Sequence, residues 1–449
     1  MKAIETLKGK HVLVLGLAKS GEAAARLLKK LGAKVTINDA KPLQDHTQAQ
    51  ALMEEGFRVI CGEHPLSLLD ESVTLIVKNP GIPYSNVLIK EAENRNINVI
   101  TEIELAYQIS EAEIIAITGS NGKTTTTTLI YEMLKSSARE PLIAGNIGTV
   151  ACEVAEQAQS NQVIVMEVSS FQLLGVDQFK PRVSVLLNLF EAHLDYHGTL
   201  GEYHKAKAAI FKNQDDDDQL VYNLDDQKVV QLVKENRATG IPFTQHTYLD
   251  QGVCLFEGTI YYDGKQIINA NEIVLPGSHN MENILAAIGT SMLMGAEISQ
   301  IQHVLKTFNG VKHRLQFVKE LQGRSFYNDS KATNILATVK ALQSFQKPTL
   351  LLAGGLDRGN SFEELIPYLT NVRAIVTFGQ TADKLKETAQ KAGIELIMTA
   401  VDVIDGVHKA WQISNQNDVI LLSPACASWD QYPTFEVRGQ KFIDAVESL

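Results

Sequence analysis

The sequence predicts an α/β protein of three domains, each built on a mostly parallel sheet flanked by helices. Three observations carry this. Short apolar runs alternate with helical patterns in three successive series, the pattern of a parallel sheet with helices on its faces. Several of the runs lead directly into glycine-containing loops. The chain has 449 residues, more than one hydrophobic core serves when domains average about 150 residues. A hydrophobic fraction of 45% against 21% charged residues supplies cores of ordinary globular size.

The first series opens with the apolar run His11 to Leu15, a helical pattern over Glu22 to Leu31, and a second run over Lys34 to Asn38. Runs at Val73 to Val77 and Asn98 to Ile100 continue it, giving a Rossmann-like domain over residues 1–107. Gly16-Leu17-Ala18-Lys19-Ser20-Gly21 follows the first run, and Asp39 ends the second. Their placement suits a phosphate at a helix N-terminus with an acid reaching a sugar or base. Ala18, however, stands where the middle glycine of a dinucleotide loop lets a pyrophosphate come closest. A dinucleotide site, a site for another nucleotide-bearing ligand and a purely structural turn all stay open.

The second series, residues 108–310, begins with the run Ile114 to Thr118 and a helical pattern from Thr124 to Ser137. Between them lies Thr118-Gly119-Ser120-Asn121-Gly122-Lys123-Thr124. The strict G-x-x-x-x-G-K-[ST] pattern fails, because its first glycine falls on Ile117. Strand, loop, Gly-x-x-Gly-Lys-Thr and helix in that order still specify a phosphate cradle. Backbone amides converge on the oxygens, Lys123 adds a point charge, and the Thr124 hydroxyl ligates Mg²⁺. Val163 to Met166 ends in Glu167, an acid placed to reach the same ion, with Ser169 and Ser170 following. His193 and Asp195 come just past the run Val183 to Leu189, at the carboxyl edge where ligands bind in such sheets. A helical stretch follows over Leu200 to Phe211, and the last long helix of the series runs from His279 to Met294. Lys207, in the first of these, reads as a solvated helix lysine. Asp215 to Asp218 read as a solvated turn, since adjacent side chains diverge and do not converge on one ion.

The third series, residues 311–449, follows the turn-prone Asn309-Gly310 and forms a second Rossmann-like domain. Runs at Thr349 to Ala353, Ala374 to Phe378, Glu395 to Met398 and Val419 to Leu422 alternate with helical patterns such as Thr381 to Ala392. Asn328 to Asn334 follows a strand and opens a helix. Lys331 is expected in that helix's first turn, where the dipole disfavours a cation unless an anionic ligand is bound. Gly354 to Gly359 and Ser423 to Ser428 also follow apolar runs. Several candidate sites imply several substrates.

The formal net charge of −11 argues against a broad nucleic-acid footprint. Cys61, Cys152, Cys254 and Cys426 are too dispersed for zinc or redox motifs. The N-terminal ten residues lack the apolar core of a signal peptide, and no apolar stretch reaches the ~18 residues of a membrane span. A soluble cytoplasmic protein is expected.

In order along the chain stand TGSNGKTTT from Thr118, GNIG at Gly145 to Gly148, EVSSFQL at Glu167 to Leu173 and HLD at His193 to Asp195. GSHNMEN at Gly277 to Asn283, His313-Arg314, NDSKATN and SPACAS complete the series. The whole chain thereby resembles the Mur ligases of peptidoglycan synthesis, and EVSSFQL, NDSKATN and SPACASWDQY resemble the branch that adds D-glutamate. The resemblance implies that ATP phosphorylates the L-alanyl carboxylate of UDP-N-acetylmuramoyl-L-alanine, and that the D-glutamate amine attacks the acyl phosphate. It makes Lys123, Glu167, His193 and Lys207 the catalytic set. Gly119, Ser120, Asn121, Gly122, Lys123, Thr124 and Thr125 bind ATP with Asn280, Asn283, Arg314, Asp329 and Lys331. Two Mg²⁺ ions are implied, held by Thr124, Glu167, His193 and Lys207, the last as a CO₂-derived carbamate. Gly16, Leu17, Ala18, Lys19 and Asp39 become the uridine diphosphate site, and Asn146, Ser169 and His193 lie near the muramoyl group. Thr333, Arg358, Ser428 and Phe435 bind D-glutamate, with Arg358 where some members carry lysine. A monomer is expected.

Outside this family, a nicotinamide oxidoreductase rests on Gly16 to Gly21 and Asp39 alone and leaves Lys123 idle. A P-loop GTPase lacks its N-K-x-D signature here. Folyl-polyglutamate synthases share the phosphate loop and differ in the third domain.

Overall fold

The computed structural model describes residues 7–191, 193–275 and 277–449, with the side chains of Asp195, Ser278 and His279 outside the described set. It contains three sheets. The first comprises β1 (His11–Leu15), β2 (Lys34–Asp39), β3 (Arg58–Cys61), β4 (Val73–Lys78) and β5 (Asn98–Thr101), all parallel, in the order β3-β2-β1-β4-β5. The order reverses between β1 and β4, and the first glycine loop leaves β1 at that switch point, where open α/β sheets bind ligands. Its helix runs Lys19–Lys30, three residues ahead of the predicted start. Gly21 permits this, because a Cβ there lies 1.9 Å from the Gly16 carbonyl oxygen.

The second sheet has nine strands: β6 (Glu113–Thr118), β7 (Glu140–Gly145), β8 (Gln162–Glu167), β9 (Val183–Leu186), β10 (Gln219–Asn223), β11 (Thr239–Thr244), β12 (Val253–Phe256), β13 (Thr259–Tyr262) and β14 (Lys265–Asn269). Their order is β14-β13-β12-β11-β10-β9-β6-β8-β7. β6, β8 and β9 are buried on both faces and so read as nearly continuous apolar runs, broken in β9 by Ser184. β12, β13 and β14 pair antiparallel at one edge and carry exposed positions, a hairpin extension the apolar pattern did not signal.

The third sheet comprises β15 (Gln316–Leu321), β16 (Arg324–Asn328), β17 (Thr349–Gly354), β18 (Val372–Phe378), β19 (Leu396–Thr399) and β20 (Val419–Leu422), ordered β15-β16-β20-β17-β18-β19. Only β15 is antiparallel. Each of its faces carries its own buried apolar cluster.

Contacts group the chain into two compact units. One runs to Ile273 and again over His279–Lys306, and the other comprises Val274–Ser278 and Thr307–Leu449. In the first unit a single apolar cluster joins Val12 and Ile37 of the first sheet to Ile114 and Ile164 of the second.

Two local expectations are corrected. The helix after NDSKATN begins at Ile335, because the Asn334 side chain accepts from the Ala337 amide and caps it. Lys331 therefore sits in a turn ahead of that helix, its amide donating to the His313 carbonyl, and the dipole argument for an anion there falls away. The Asp215 to Asp218 turn is not wholly solvated: Asp218 is buried and lies within ion-pair reach of Lys180 and Arg182.

Candidate active site

The phosphate loop leaves β6 and turns into the helix Lys123–Leu134 through Gly122, whose φ of +83° belongs to the left-handed region. A Cβ at Gly122 lies 2.0 Å from Asn283 Oδ1, so only glycine lets the helix Ser278–Leu293 come this close. Asn283 Nδ2 donates to Asn280 Oδ1 at 3.0 Å, and both residues are buried. Asn188, just past β9, fixes the loop from the other side: its carbonyl accepts from the Ser120 amide and its Oδ1 from the Asn121 amide, both at 2.9 Å. The Ser120 hydroxyl pairs with Tyr203 Oη at 3.0 Å. The loop is thus shaped before any phosphate enters.

Lys123 Nζ folds back onto the Gly119 carbonyl at 2.8 Å and the Ser120 carbonyl at 3.1 Å. Thr124 Oγ1 donates to Glu167 Oε2 at 2.7 Å, while Asn146 Nδ2 donates to Glu167 Oε1 at 2.8 Å. Thr124, Thr125 and Glu167 are all buried. A hydroxyl and a carboxylate held side by side at the phosphate cradle are hard oxygen donors of the kind that suit Mg²⁺.

Lys207 overturns its reading as a solvated helix lysine. It is 1% exposed on the helix Leu200–Ala208, with Nζ donating to the Gly119 carbonyl at 2.8 Å and lying 4.8 Å over the Tyr203 ring. Burial, reinforced by the Lys123 charge and opposed by Glu167, pushes its pKa well below the usual lysine value.

His193 is exposed, caps the short helix Leu194–His197 with φ of 56°, and stands edge-on to Phe171 at 5.0 Å. Phe171 also touches Tyr196 and stacks on His197, and His197 meets Tyr203 at 5.3 Å. This aromatic group connects the His193 segment with the phosphate loop through Tyr203. Ser169 caps the turn Ser170–Leu173 in a capping box with Gln172, and Ser170 Oγ pairs with His197 Nε2 at 3.0 Å.

In the first glycine loop, Asp39 Oδ2 accepts from the Leu17 amide at 2.7 Å and Oδ1 from the Lys41 amide at 2.8 Å. Leu17 is buried, whereas Ala18 and Lys19 are exposed at the start of their helix. A Cβ on Gly16 meets Ile82 at 2.7 Å and Asn79 at 2.9 Å, so the turn after β4 packs on this loop. Lys78, buried to 1% exposure, pins that turn by donating to the Ile82 carbonyl at 3.0 Å and to Tyr196 Oη at 3.3 Å. Desolvation lowers its pKa to about 8.

The second unit carries a cleft of about 330 Å³ lined by Thr333, Leu336, Leu356, Arg358 and the stretch Ala425 to Ala427. The Arg358 guanidinium lies 5.2 Å from the centre of the exposed Trp429 ring. Ser428 is buried, and its Oγ has no hydrogen-bond partner among the described residues. Phe435 opens the helix Phe435–Glu447, its ring 5.8 Å from Lys331 Nζ and its carbonyl accepting from Ser330 Oγ at 2.8 Å. Asp329 accepts from the Leu315 amide and Ser423 Oγ, and burial pushes its carboxyl up to about 7, opposed by those bonds and by Arg314.

The structure gathers the predicted phosphate-loop residues with Asn146, Glu167, Lys207 and Asn283 in the first unit. It gathers Thr333 and Arg358 at one cleft in the second. The sequence reading missed Asn188, Tyr203, Lys78 and the buried Arg438. Asn188 and Lys78 left a signal, as polar residues within and directly after apolar runs.

Models of known families match three stretches: Mur ligase MurD-like, N-terminal domain over residues 10–101, Mur ligase middle domain over 117–291, and Mur ligase, glutamate ligase domain over 313–426. UDP-N-acetylmuramoylalanine--D-glutamate ligase of Halalkalibacterium halodurans is 58% identical over 449 residues, covering 100% of both chains. The enzyme of that name from Geobacillus kaustophilus is 57% identical over 450 residues, again covering 100% of both. Among solved structures, UDP-N-acetylmuramate-alanine ligase from Thermotoga maritima superposes with a TM-score of 0.58 at 17% identity, covering 98% of this chain and 99% of that one. At that identity the likeness concerns the fold.

Proposed function

The chain belongs to the Mur ligase family, and on that premise we propose that it joins D-glutamate to UDP-N-acetylmuramoyl-L-alanine, using ATP and releasing ADP and phosphate. Full-length relatives bearing that activity in their names support the assignment. A carboxylate is a poor electrophile until one oxygen becomes a phosphate leaving group. The reaction therefore passes the γ-phosphoryl group to the L-alanyl carboxylate, and the D-glutamate amine displaces phosphate from the acyl carbon. Catalysis is mainly positioning and charge neutralisation.

The observation that carries this reading is the group formed around one loop by Lys123 and the buried Thr124, Glu167 and Lys207. Lys123 swings from its loop carbonyls onto the β and γ phosphates. Thr124 and Glu167 hold a first Mg²⁺, and His193 with Lys207 a second. Bound Mg²⁺ supplies positive charge that neutralises the phosphate oxygens. A depressed pKa favours the neutral Lys207 amine, the form that adds to CO₂, releases a proton and becomes an anionic carbamate. That change turns a buried cation beside Lys123 into an oxygen ligand.

Asn280 and Asn283 take the adenine, Arg314 and Lys331 the phosphates, and Asp329 the ribose. Gly16 to Lys19 and Asp39 take the uridine diphosphate, Asn146 and Ser169 the muramoyl end, and Thr333, Arg358, Ser428 and Phe435 the D-glutamate. Domain limits at residues 107 and 310, a monomeric state and a cytoplasmic location belong to the same proposal. Among the described residues no helix is long and apolar enough to cross a membrane.

Phosphate release measured with UDP-N-acetylmuramoyl-L-alanine and each of D-glutamate, L-glutamate and L-lysine tests the reading. Turnover with D-glutamate alone is expected. Equal turnover with all three sinks the specificity.

A further inference from the structure

Arg438 lies on the helix Phe435–Glu447 and is 0% exposed. Its Nε donates to Ser330 Oγ at 3.0 Å and its Nη1 to the Gly354 carbonyl at 3.3 Å. Its Nη2 donates to the Ser330 carbonyl at 2.9 Å and the Cys426 carbonyl at 3.0 Å. Ser330, Gly354 and Cys426 belong to the chain ends leaving β16, β17 and β20. The loops that follow supply Thr333, Arg358 and Ala425 to Ala427 to the cleft. One guanidinium thus ties together the three loops from which the cleft is made.

Its environment is unusual for a charge. No carboxylate hydrogen-bonds to it among the described residues, and Asp430 acts on it only through space. Burying an unpaired cation is costly, and a neutral donor can serve backbone carbonyls with less desolvation. The surrounding carbonyls satisfy its donors without cancelling its charge. That charge adds positive potential beneath the cleft, set against Asp430 and against Asp357, the latter paired with Lys384, and in a water-poor interior such a field carries further than at the surface. The exposed Arg358 then adds a second cation at the cleft wall.

We propose that Arg438 is a positioning and specificity residue of the amino-acid cleft, whose buried charge favours an amino acid bearing a second carboxylate over its neutral isostere. This rests on the reading of the cleft as the D-glutamate site. Loop fixation and charge are separable by substitution. Arg438→Lys keeps the charge and loses the planar fork, whereas Arg438→Gln keeps hydrogen-bond donors and loses the charge.

The test compares kcat/KM for D-glutamate and D-glutamine, together with KM for ATP, in the wild-type chain and both variants, after circular dichroism melts establish folding. The wild type and Arg438→Lys should prefer D-glutamate. Arg438→Gln should lose roughly tenfold of that preference with the ATP KM unchanged. An Arg438→Gln protein with the wild-type preference overturns the proposal, as does an equal loss for both amino acids or a failure of both variants to fold. Any of those makes Arg438 a scaffold residue only. A wild-type chain indifferent between the two amino acids overturns the reading of the cleft itself, and the proposal with it.

Discussion

Lys207 shows how strongly burial sets chemistry at a single position. A solvated lysine stays protonated and inert to CO₂, but this one is enclosed beside the cation Lys123, and both influences favour the neutral amine. Incubation with ¹³C-bicarbonate should give a carbamate NMR signal in the wild type that is absent from Lys207→Arg, with turnover in the variant lower by on the order of 10²-fold. A wild-type spectrum without that signal removes the carbamate. Lys123→Ala should lower phosphate release by about 10³-fold with an unchanged melting curve, and retained turnover takes Lys123 out of its role. Asp329 presents the converse case, an acid whose pKa is pushed up from 3.8 to about 7 by burial. Between those values the folded chain holds a proton that the unfolded chain has released. Its contribution to stability is therefore complete below 3.8 and lost as pH rises through about 7. Relative to Asp329→Asn, the wild type should lose on the order of 4 kcal/mol across that window. Parallel urea-denaturation profiles of the two proteins against pH would contradict this.

Loops between strand ends and helix starts hold the candidate residues, and their shapes depend on positions with no chemistry of their own. Gly122 is one: alanine there meets Asn283 Oδ1 and also adopts a left-handed φ, at a cost of about 1–2 kcal/mol for the backbone alone. Gly122→Ala should raise the KM for ATP, and in the double variant with Asn283→Ala the two stability losses should fall short of additive. Strict additivity in thermal melts would mean the contact does not matter. These loops were legible because β6, β8, β9, β17 and β20 are buried on both faces and show as nearly continuous apolar runs ahead of polar or glycine-containing loops. The meander β12 to β14 was not legible, since half-exposed edge strands lack that contrast. Nor was the start of the helix at Ile335, which depends on a single cap bond from the Ala337 amide to Asn334. Lys207 and Arg438 were illegible for a further reason. Their burial is decided by distant segments, Gly119 for one and Gly354 with Cys426 for the other, and no local pattern encodes that.

At the scale of the molecule, the first two sheets form one compact unit although each has the strand order of a separate α/β layer. The polar joint between them is concentrated near the segment carrying Ser169 and Ser170. Thr101 Oγ1 donates to the Gln172 carbonyl at 2.6 Å, and Tyr84 Oη to the Leu174 carbonyl at 3.0 Å. Glu104, fully buried on the helix Glu102–Ile109, accepts from three successive amides: Asp177 at 2.9 Å, Gln178 at 3.1 Å and Phe179 at 3.0 Å. Charge-assisted bonds of this kind are among the stronger ones, and removing the acceptor leaves the buried Phe179 amide and two partly buried amides unpaired. Glu104→Ala should therefore destabilise the first unit by on the order of 3–5 kcal/mol. The same joint fixes the first glycine loop relative to the segment carrying Ser169 and Ser170, because Tyr84 belongs to the segment after β4 that packs on Gly16 and Asn79 donates to Ser20 Oγ. In the folded fraction, the KM for UDP-N-acetylmuramoyl-L-alanine should rise severalfold, while the KM for ATP stays near its wild-type value. Urea denaturation read by fluorescence, with initial rates at varied substrate, checks both. If the two KM values rise together, the phosphate loop shares in the disturbance and the joint does not set the nucleotide-sugar site alone.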